Sequence, residues 1–210
     1  MLDPTPLLSR APVIPVLTIE RTADAVPLAR ALVAGGLPVI EVTLRTKAAL
    51  DAIRAIAGEV PDCIVGVGTV TRVTDVAAAI SAGAKYLVSP GTPSELAAAF
   101  TDAPVPALPG CATVSEAMAL GGRGFPVLKF FPAEASGGAA WLKSVAAPLP
   151  DIRFCPTGGI DGRNIAAYLG CPNVLAVGGS WVAPKDAIAT GDFARITKLA
   201  REASALRAAA

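Results

Sequence analysis

The sequence predicts an α/β fold of the (β/α)8 barrel type, and three features of the chain lead to this prediction. First, an alanine-rich helical segment that ends in glycine is followed by an apolar β-branched run and a polar or glycine-bearing turn, most clearly in 31–44, 79–91, 119–132 and 168–180. Glycine just past a helix commonly ends it. Second, the runs are apolar at nearly every position, as in strands buried on both faces of a parallel sheet. Third, the repeat fits a compact barrel within 210 residues.

The pattern assigns strands and helices in alternating order. The predicted strands are at about 13–18, 38–43, 63–69, 85–90, 105–109, 126–131, 152–157 and 174–178. The predicted helices are a short one near 6–10 and longer ones at about 22–35, 46–58, 72–83, 93–101, 114–121, 138–146, 162–169 and 192–207. A doubly wound open sheet uses the same repeat and is the alternative, but no G-x-G-x-x-G motif follows the first strand. Because no linker interrupts the repeat, we expect residues 1–210 to form a single domain with a short N-terminal helix.

Composition excludes several classes of protein. The net charge is +1, from 18 basic and 17 acidic residues, and aromatic residues make up 5% of the chain, which argues against a nucleic-acid partner. The chain has no histidine, so Ser-His-Asp, Cys-His and histidine-metal chemistry are excluded. The four cysteines form no C-x-x-C pair, and the aspartates are scattered. We therefore expect no metal site.

The apolar fraction of 53% raises the question of a membrane. The longest uncharged stretch, 164–184, is long enough to span a bilayer, but Pro172 and the Gly178-Gly179 pair indicate a turn, a strand and a loop within it. The N-terminus lacks the basic start and the small-residue cleavage site of a signal peptide. We expect a cytoplasmic protein with no membrane partner.

Functional residues of a barrel gather at the C-terminal ends of its strands, and the most informative side chains there are Lys129 and Glu41. Lys129 lies in VLKFFP, inside a predicted buried strand. Burial disfavours an ammonium, and only the neutral amine attacks a carbonyl to form a Schiff base. Glu41 lies in VIEVTL, and a partly buried carboxyl can transfer protons near neutral pH. The alternative for both residues is a structural ion pair or, for Lys129, a strand-end lysine whose ammonium reaches solvent.

Further candidates follow other strands. Arg45 can clamp a carboxylate, the alternative being a solvated loop arginine. Thr69 can donate a hydroxyl hydrogen bond, the alternative being a helix N-cap. The turns Thr157-Gly158-Gly159 and Gly178-Gly179-Ser180 follow the last two strands, where barrels often bind phosphate through backbone N–H groups. Plain tight turns are the alternative there.

These motifs together resemble a known family over nearly the whole chain. The matching segments are PVIPVL (12–17), ALVAGGLPVIEVTLRT (31–46), CIVGVGTV (63–70), LVSPG (87–91), VLKFFPAEASGG (127–138), RFCPTGGI (153–160), VLAVGGSWVAP (174–184) and GDFARITKLAREA (191–203). They resemble the bacterial 2-keto-3-deoxy-6-phosphogluconate (KDPG) and 2-keto-4-hydroxyglutarate (KHG) aldolases, which are class I aldolases on a (β/α)8 barrel.

The resemblance implies a reaction and a set of roles. It implies cleavage of KDPG to pyruvate and D-glyceraldehyde 3-phosphate in the Entner-Doudoroff pathway, extended to KHG, by a homotrimer without a cofactor. Lys129 is implied to form the Schiff base and Glu41 to act as general acid and base. The implied substrate contacts are Arg45 and Thr69 for the pyruvate carboxylate, Pro90 and Phe131 for the pocket wall, Thr157 near the reacting centre, and Gly158, Gly159, Gly179 and Ser180 for the phosphate.

Two other functions fit parts of the sequence. A phosphate-binding barrel isomerase would share the glycine turns but would not need Lys129 inside a strand. A non-catalytic barrel scaffold would suit the alanine-rich helices, which favour packing between subunits. The intact set of Lys129, Glu41 and Arg45 favours the aldolase over both.

Overall fold

The computed structural model describes residues 1–206, which form an α/β fold around a curled parallel sheet. The strands are β1 (Val13–Leu17), β2 (Val39–Thr43), β3 (Ile64–Gly68), β4 (Leu87–Val88), β5 (Ala107–Leu108), β6 (Gly110–Cys111), β7 (Val127–Phe130), β8 (Arg153–Pro156) and β9 (Val177–Gly179). The α-helices are α1 (Thr5–Leu8), α2 (Ala25–Ala34), α3 (Ala49–Glu59), α4 (Val73–Ser81), α5 (Ser94–Thr101), α6 (Val114–Gly121), α7 (Gly138–Val145), α8 (Ile165–Leu169), α9 (Lys185–Thr190) and α10 (Phe193–Ser204). Two short 3-10 helices lie at Thr22–Asp24 and Glu134–Ser136.

The strands pair in parallel throughout. A six-stranded sheet has the order β5-β4-β3-β2-β1-β9, and a three-stranded sheet has the order β6-β7-β8. Single-residue bridges from Phe154 to Val174 and from Thr157 to Gly178 join β8 to the segment that contains β9. The predicted α/β class and parallel sheet are therefore confirmed, with six strands in one continuous curled sheet.

The structure differs from the predicted elements in a few places. The strand predicted at 105–109 is observed as β5, which pairs with β4, and beyond Pro109 a separate short strand, β6, pairs with β7. Helix α9 was not predicted, since its six residues are too few to show a period. The predicted short N-terminal helix is α1. Helix α10 ends at Ser204, and the last residue predicted for it, position 207, lies outside the described residues.

The interior of the curled sheet positions the candidate site. A compact apolar cluster fills it, composed of Leu8, Ile14, Val39, Tyr86, Val88, Leu108, Val127, Cys155 and Ala176. Side chains two positions apart on a strand share a face, so Glu41 lies on the face of Val39 and Lys129 on the face of Val127. Both ionisable side chains therefore extend over this cluster, toward the C-terminal ends of the strands.

Tyr86 closes the cluster beneath Glu41. Its hydroxyl donates a hydrogen bond of 2.9 Å to the carbonyl of Ile40, and its ring covers Gly66 so closely that a methyl group there would overlap it. Burial, with a smaller effect of the Glu41 charge, raises the pKa of Tyr86 well above its ordinary value. Tyr86 is therefore a neutral packing residue.

Within residues 1–206, none of the helices has both the length and the apolarity needed to cross a bilayer.

A carboxylate in the first turn of helix α4 accepts hydrogen bonds from the two backbone N–H groups that precede the helix. Asp75 accepts hydrogen bonds from the backbone N–H groups of Thr71 (3.1 Å) and Arg72 (3.0 Å), and its other oxygen accepts one from the Arg72 guanidinium (3.1 Å). Burial alone would raise the pKa of Asp75, but these hydrogen bonds outweigh it and hold the pKa below the ordinary value. The carboxylate form is therefore the one that stabilises the fold.

We predict that Asp75→Asn lowers the free energy of unfolding at pH 7 by about 1 kcal/mol, which corresponds to about 2–4 °C in melting temperature. Because the pKa is depressed in the folded protein, the contribution is present above the unfolded pKa and is lost as pH falls through the folded pKa. Thermal melts of both proteins should therefore converge toward low pH. Asp62→Asn, at an exposed turn, is the control. Equal melting temperatures at pH 7 would contradict the prediction.

Candidate active site

A buried ion pair forms the centre of the candidate site. The Lys129 ammonium Nζ lies 3.0 Å from Glu41 Oε1 and 3.4 Å from Oε2, and the two side chains are only 3% and 4% exposed. They come from β7 and β2, 88 positions apart in sequence. Removing one partner of such a pair leaves an uncompensated buried charge and costs about 3–5 kcal/mol. The two candidate residues are thus brought into direct contact.

Glycine on β3 makes room for the Glu41 carboxylate. Strand β3 reads Ile64-Val-Gly-Val-Gly68, and a methyl group on Gly68 would overlap the Glu41 carboxyl group. Since β2 and β3 are paired in register, Gly68 lies opposite Thr43, beside the end of the Glu41 side chain. Gly68 was not predicted as a site residue from the sequence. The signal was present, because alternating glycines in a buried strand often mark a close approach of neighbouring groups.

The cysteines near Lys129 are poor nucleophiles at neutral pH. Its ammonium lies 5.5 Å from the centroid of the Phe131 ring, within the range of a cation–π contact. Cys155 is paired in register with Lys129, but burial raises the pKa of the Cys155 thiol to about 12. Burial likewise raises the pKa of Cys111 to about 12. Both cysteines are therefore protonated at neutral pH and poor nucleophiles.

Arg45 and Thr69 lie together just beyond the strand ends. The Arg45 Nε donates a hydrogen bond of 3.2 Å to Thr69 Oγ1, and Arg45 takes part in no ion pair within residues 1–206. Thr69 is not a helix N-cap, since α4 is preceded by Arg72 at that position. It adopts a φ of 60°, which is rare for a β-branched residue and costs about 1–3 kcal/mol. Such strain is typical of functional positions.

The turn after β8 contains backbone N–H groups that have no acceptor within residues 1–206. Its carbonyl groups all accept hydrogen bonds. The Thr157 carbonyl accepts from the backbone N–H of Ala133 (2.8 Å), and the Gly158 carbonyl accepts from that of Glu134 (3.1 Å). The Gly159 carbonyl accepts from the Asn164 side chain (2.9 Å). The N–H groups of Gly158 and Gly159 donate to no acceptor within residues 1–206. Both glycines have positive φ, 104° and 77°. The turn therefore presents two free donors, as an anion site requires.

Thr157 carries an unsatisfied hydroxyl. Its Oγ1 is buried and has no hydrogen-bond partner within residues 1–206, while Gly178 provides the space that the side chain occupies. Buried hydroxyl groups are normally paired, so an unpaired one at a candidate site indicates a place for a ligand atom. Alone among the candidate residues, Thr157 shows this feature.

The second glycine turn lies beside the first. The bridge from Thr157 to Gly178 joins them, and the indole of Trp181 covers Gly179 so closely that a methyl group there would overlap it. Ser180 is exposed and lines a cavity of about 280 Å³ together with Trp181. The backbone N–H of Ser180 has no acceptor within residues 1–206. Trp181 therefore packs directly on the second glycine turn.

The two remaining candidates occupy different places. Phe131, besides facing Lys129, packs beneath Gly158, where a methyl group would lie 3.3 Å from its ring. Pro90 lies against the backbone of Gly110, which is paired in register with Lys129. Pro90 also lines a groove of about 540 Å³ between α5 and α6, to which no other candidate residue contributes. Among residues 1–206 no three His, Cys, Asp or Glu side chains are grouped as metal ligands would be.

Comparison with known proteins identifies the family. The model of the KDPG and KHG aldolase family matches residues 5–199. The 2-dehydro-3-deoxy-phosphogluconate aldolase of Pseudoalteromonas atlantica is 52% identical over 95% of this chain and 93% of its own. The KDPG aldolase of Legionella pneumophila, solved with pyruvate captured as a covalent carbinolamine intermediate, is 43% identical with a TM-score of 0.94, covering 97% of this chain and 98% of its own. The KDPG aldolase of Zymomonas mobilis, solved with 3-phosphoglycerate, is 47% identical with a TM-score of 0.90, covering 98% of this chain and 97% of its own. This chain belongs to the KDPG and KHG aldolase family.

Proposed function

We propose that this chain is a class I aldolase that cleaves KDPG to pyruvate and D-glyceraldehyde 3-phosphate through a Schiff base on Lys129. The observation that carries the proposal is the 3.0 Å contact between Lys129 and Glu41 in a buried centre. A nucleophilic lysine needs an adjacent group that can take its proton, and Glu41 is that group. The carbinolamine captured in the Legionella relative supports the same chemistry here.

The reaction begins with the removal of a proton from Lys129. Glu41 takes it through the existing hydrogen bond, and the neutral amine then attacks the C2 carbonyl of the substrate. The new C–N bond gives a carbinolamine, whose hydroxyl leaves as water after protonation by Glu41. The product is a protonated imine, which withdraws electrons from the neighbouring carbon–carbon bonds.

Cleavage and release then use the same pair. The Glu41 carboxylate removes the C4 hydroxyl proton, the C3–C4 bond breaks, and its electron pair moves into the iminium to give an enamine. D-glyceraldehyde 3-phosphate leaves. Protonation of the enamine at C3 restores the imine, and water hydrolyses it to pyruvate and free Lys129. Every proton in the cycle moves between substrate, water, Glu41 and Lys129.

The surrounding residues bind the two ends of the substrate. We assign the pyruvate carboxylate to Arg45 and Thr69, supported by the hydrogen bond that already joins them. We assign the pocket wall to Pro90 and Phe131, and a contact near the reacting centre to Thr157, supported by its unpaired hydroxyl. The phosphate is assigned to the donors of the two turns, namely those of Gly158, Gly159, Gly179 and Ser180. The 3-phosphoglycerate bound by the Zymomonas relative supports a phosphate site in this family.

The proposal extends to the closure of the barrel, the second substrate, the pathway, the cellular location and the oligomeric state. The bridges from β8 toward β9, and the single residue between β5 and β6, support a closed (β/α)8 barrel that forms a single domain. We also propose activity on KHG, a place in the Entner-Doudoroff pathway, a cytoplasmic location and a homotrimer. The exposed apolar side chains of Val114 and Met118 on α6 support packing between subunits.

Substitution of Lys129 tests its assignment as the nucleophile. Lys129→Met should reduce retro-aldol turnover to the level of the uncatalysed reaction, because within residues 1–206 Glu41 forms a hydrogen bond or ion pair with no other amine. Since this change leaves Glu41 buried without a partner, Lys129→Arg is the matched variant: it keeps a cation beside Glu41 but no neutral amine at pH 7. Pyruvate release in a coupled assay should be absent in both. Substantial turnover by either folded variant would contradict the assignment of Lys129.

Substitution of Glu41 tests its assignment as the proton acceptor. Glu41→Gln should lower kcat for KDPG by about 10²–10⁴-fold, the usual contribution of a general acid–base group, while some imine still forms with pyruvate. Glu95→Gln, at an exposed position on α5, is the control and should have no effect. An unchanged kcat in Glu41→Gln would remove Glu41 from the mechanism.

Substitution of Gly68 displaces the Glu41 carboxylate without removing it. Gly68→Ala should displace the Glu41 carboxylate from Lys129, because the added methyl group overlaps it, and a misplacement of about 1 Å costs about 10²-fold in kcat. Gly58→Ala is the matched control, because a methyl group on that helical glycine meets no atom within 4 Å. Steady-state kinetics with KDPG measure both. Wild-type kcat in Gly68→Ala would show that the contact is not needed.

A further inference from the structure

The phosphate donors assigned above are all neutral. They are backbone N–H groups of the two glycine turns and the Ser180 hydroxyl, and no arginine or lysine belongs to the set. A phosphate monoester carries a charge of about −1.5 to −2 at neutral pH, and a cation placed near it attracts it electrostatically. A nearby positive charge would therefore strengthen binding of the phosphorylated end.

Lys185 is the cationic residue at this cavity. The cavity of about 280 Å³ that Ser180 and Trp181 line is also lined by Lys185, the first residue of α9. Neither an arginine nor another lysine among residues 1–206 borders it. Lys185 is exposed, so its flexible side chain can reach the opening while its ammonium remains hydrated.

The backbone around Lys185 is well fixed. Trp181 packs on Gly179, and Ala187 and Ile188 of α9 are buried. The N–H of Ile188 donates a hydrogen bond of 3.1 Å to the carbonyl of Pro184, directly before Lys185. The position of the lysine relative to the second glycine turn is thus determined by packing on both sides.

The ammonium of Lys185 is not committed to a partner in the protein. None of the ion pairs within residues 1–206 includes it. The adjacent Asp186 is paired with Arg195 at 2.6 Å. Asp24, which lines the neighbouring cavity of about 390 Å³ with Lys185, is paired with Arg21 at 2.8 Å. Glu20 is the other carboxylate at that cavity, and it forms no ion pair within the described residues.

We propose that Lys185 is a specificity-determining residue that attracts the phosphate of the substrate into the cavity beside Ser180. This inference rests on the proposed function for the identity of the substrate. It adds a charged contact to an otherwise neutral set of donors. The lysine acts on substrate binding and not on the bond-breaking step, because the Lys129–Glu41 centre is a separate buried pair.

The test compares a phosphate-dependent and a phosphate-independent readout. Lys185→Gln should raise KM for KDPG by about fivefold, the upper range for a solvent-exposed charge pair, and leave kcat unchanged. The dissociation constant of inorganic phosphate, measured by NMR titration, should rise in parallel. Half-saturation by pyruvate in borohydride trapping should not change. Lys185→Arg should restore KM, and Lys198→Gln, an exposed lysine on α10, should match the wild type.

Two results would overturn the proposal. One is a KM for KDPG and a phosphate dissociation constant that change by less than about twofold in Lys185→Gln. The other is a rise in the pyruvate half-saturation equal to the rise in KM, which would indicate general damage to the site. A failure of the proposed aldolase function can be distinguished from a failure of the Lys185 proposal. In the first case the wild-type protein would trap no pyruvate, while the phosphate titration would still measure the effect of Lys185.

Discussion

The contact between the Lys129 ammonium and the Glu41 carboxylate is the interaction around which the interior of this protein is arranged. Burying two charges is costly, and their attraction offsets the cost only when the geometry is good. A well-packed apolar pair would stabilise the fold at least as well. The pair is therefore poorly explained by stability and well explained by chemistry, because imine formation needs a lysine that can lose its proton to a neighbouring group.

Several otherwise unrelated residues serve this contact. Gly68 leaves space for the carboxylate, and Tyr86 packs over Gly66 below it. The apolar cluster inside the sheet excludes water from beneath both side chains. Besides the pair, the strand ends carry Arg45 hydrogen-bonded to Thr69, and two linked turns carry N–H groups that have no acceptor within residues 1–206. Both sets of groups are suited to binding anions.

The sequence was sufficient to predict the alternation of elements, because the strands are apolar at nearly every position and several of the helices between them are followed by glycine. It was also sufficient to select Lys129 and Glu41, since charged residues inside such strands stand out. It could not predict α9, which is bounded by Pro184 and Gly191 but too short for a period. Nor could it predict the split at Pro109, which depends on the pairing of neighbouring strands.

The contacts between distant segments could not be read from the sequence either. Gly68, Trp181 and Lys185 matter because of what lies beside them, and those neighbours are fixed only by the register of the strands.

The measurement that tests the central claim most directly is borohydride reduction in the presence of pyruvate, followed by peptide mass spectrometry. The account predicts a reduced pyruvate adduct on Lys129. An adduct on a different lysine, or none at all, would contradict it.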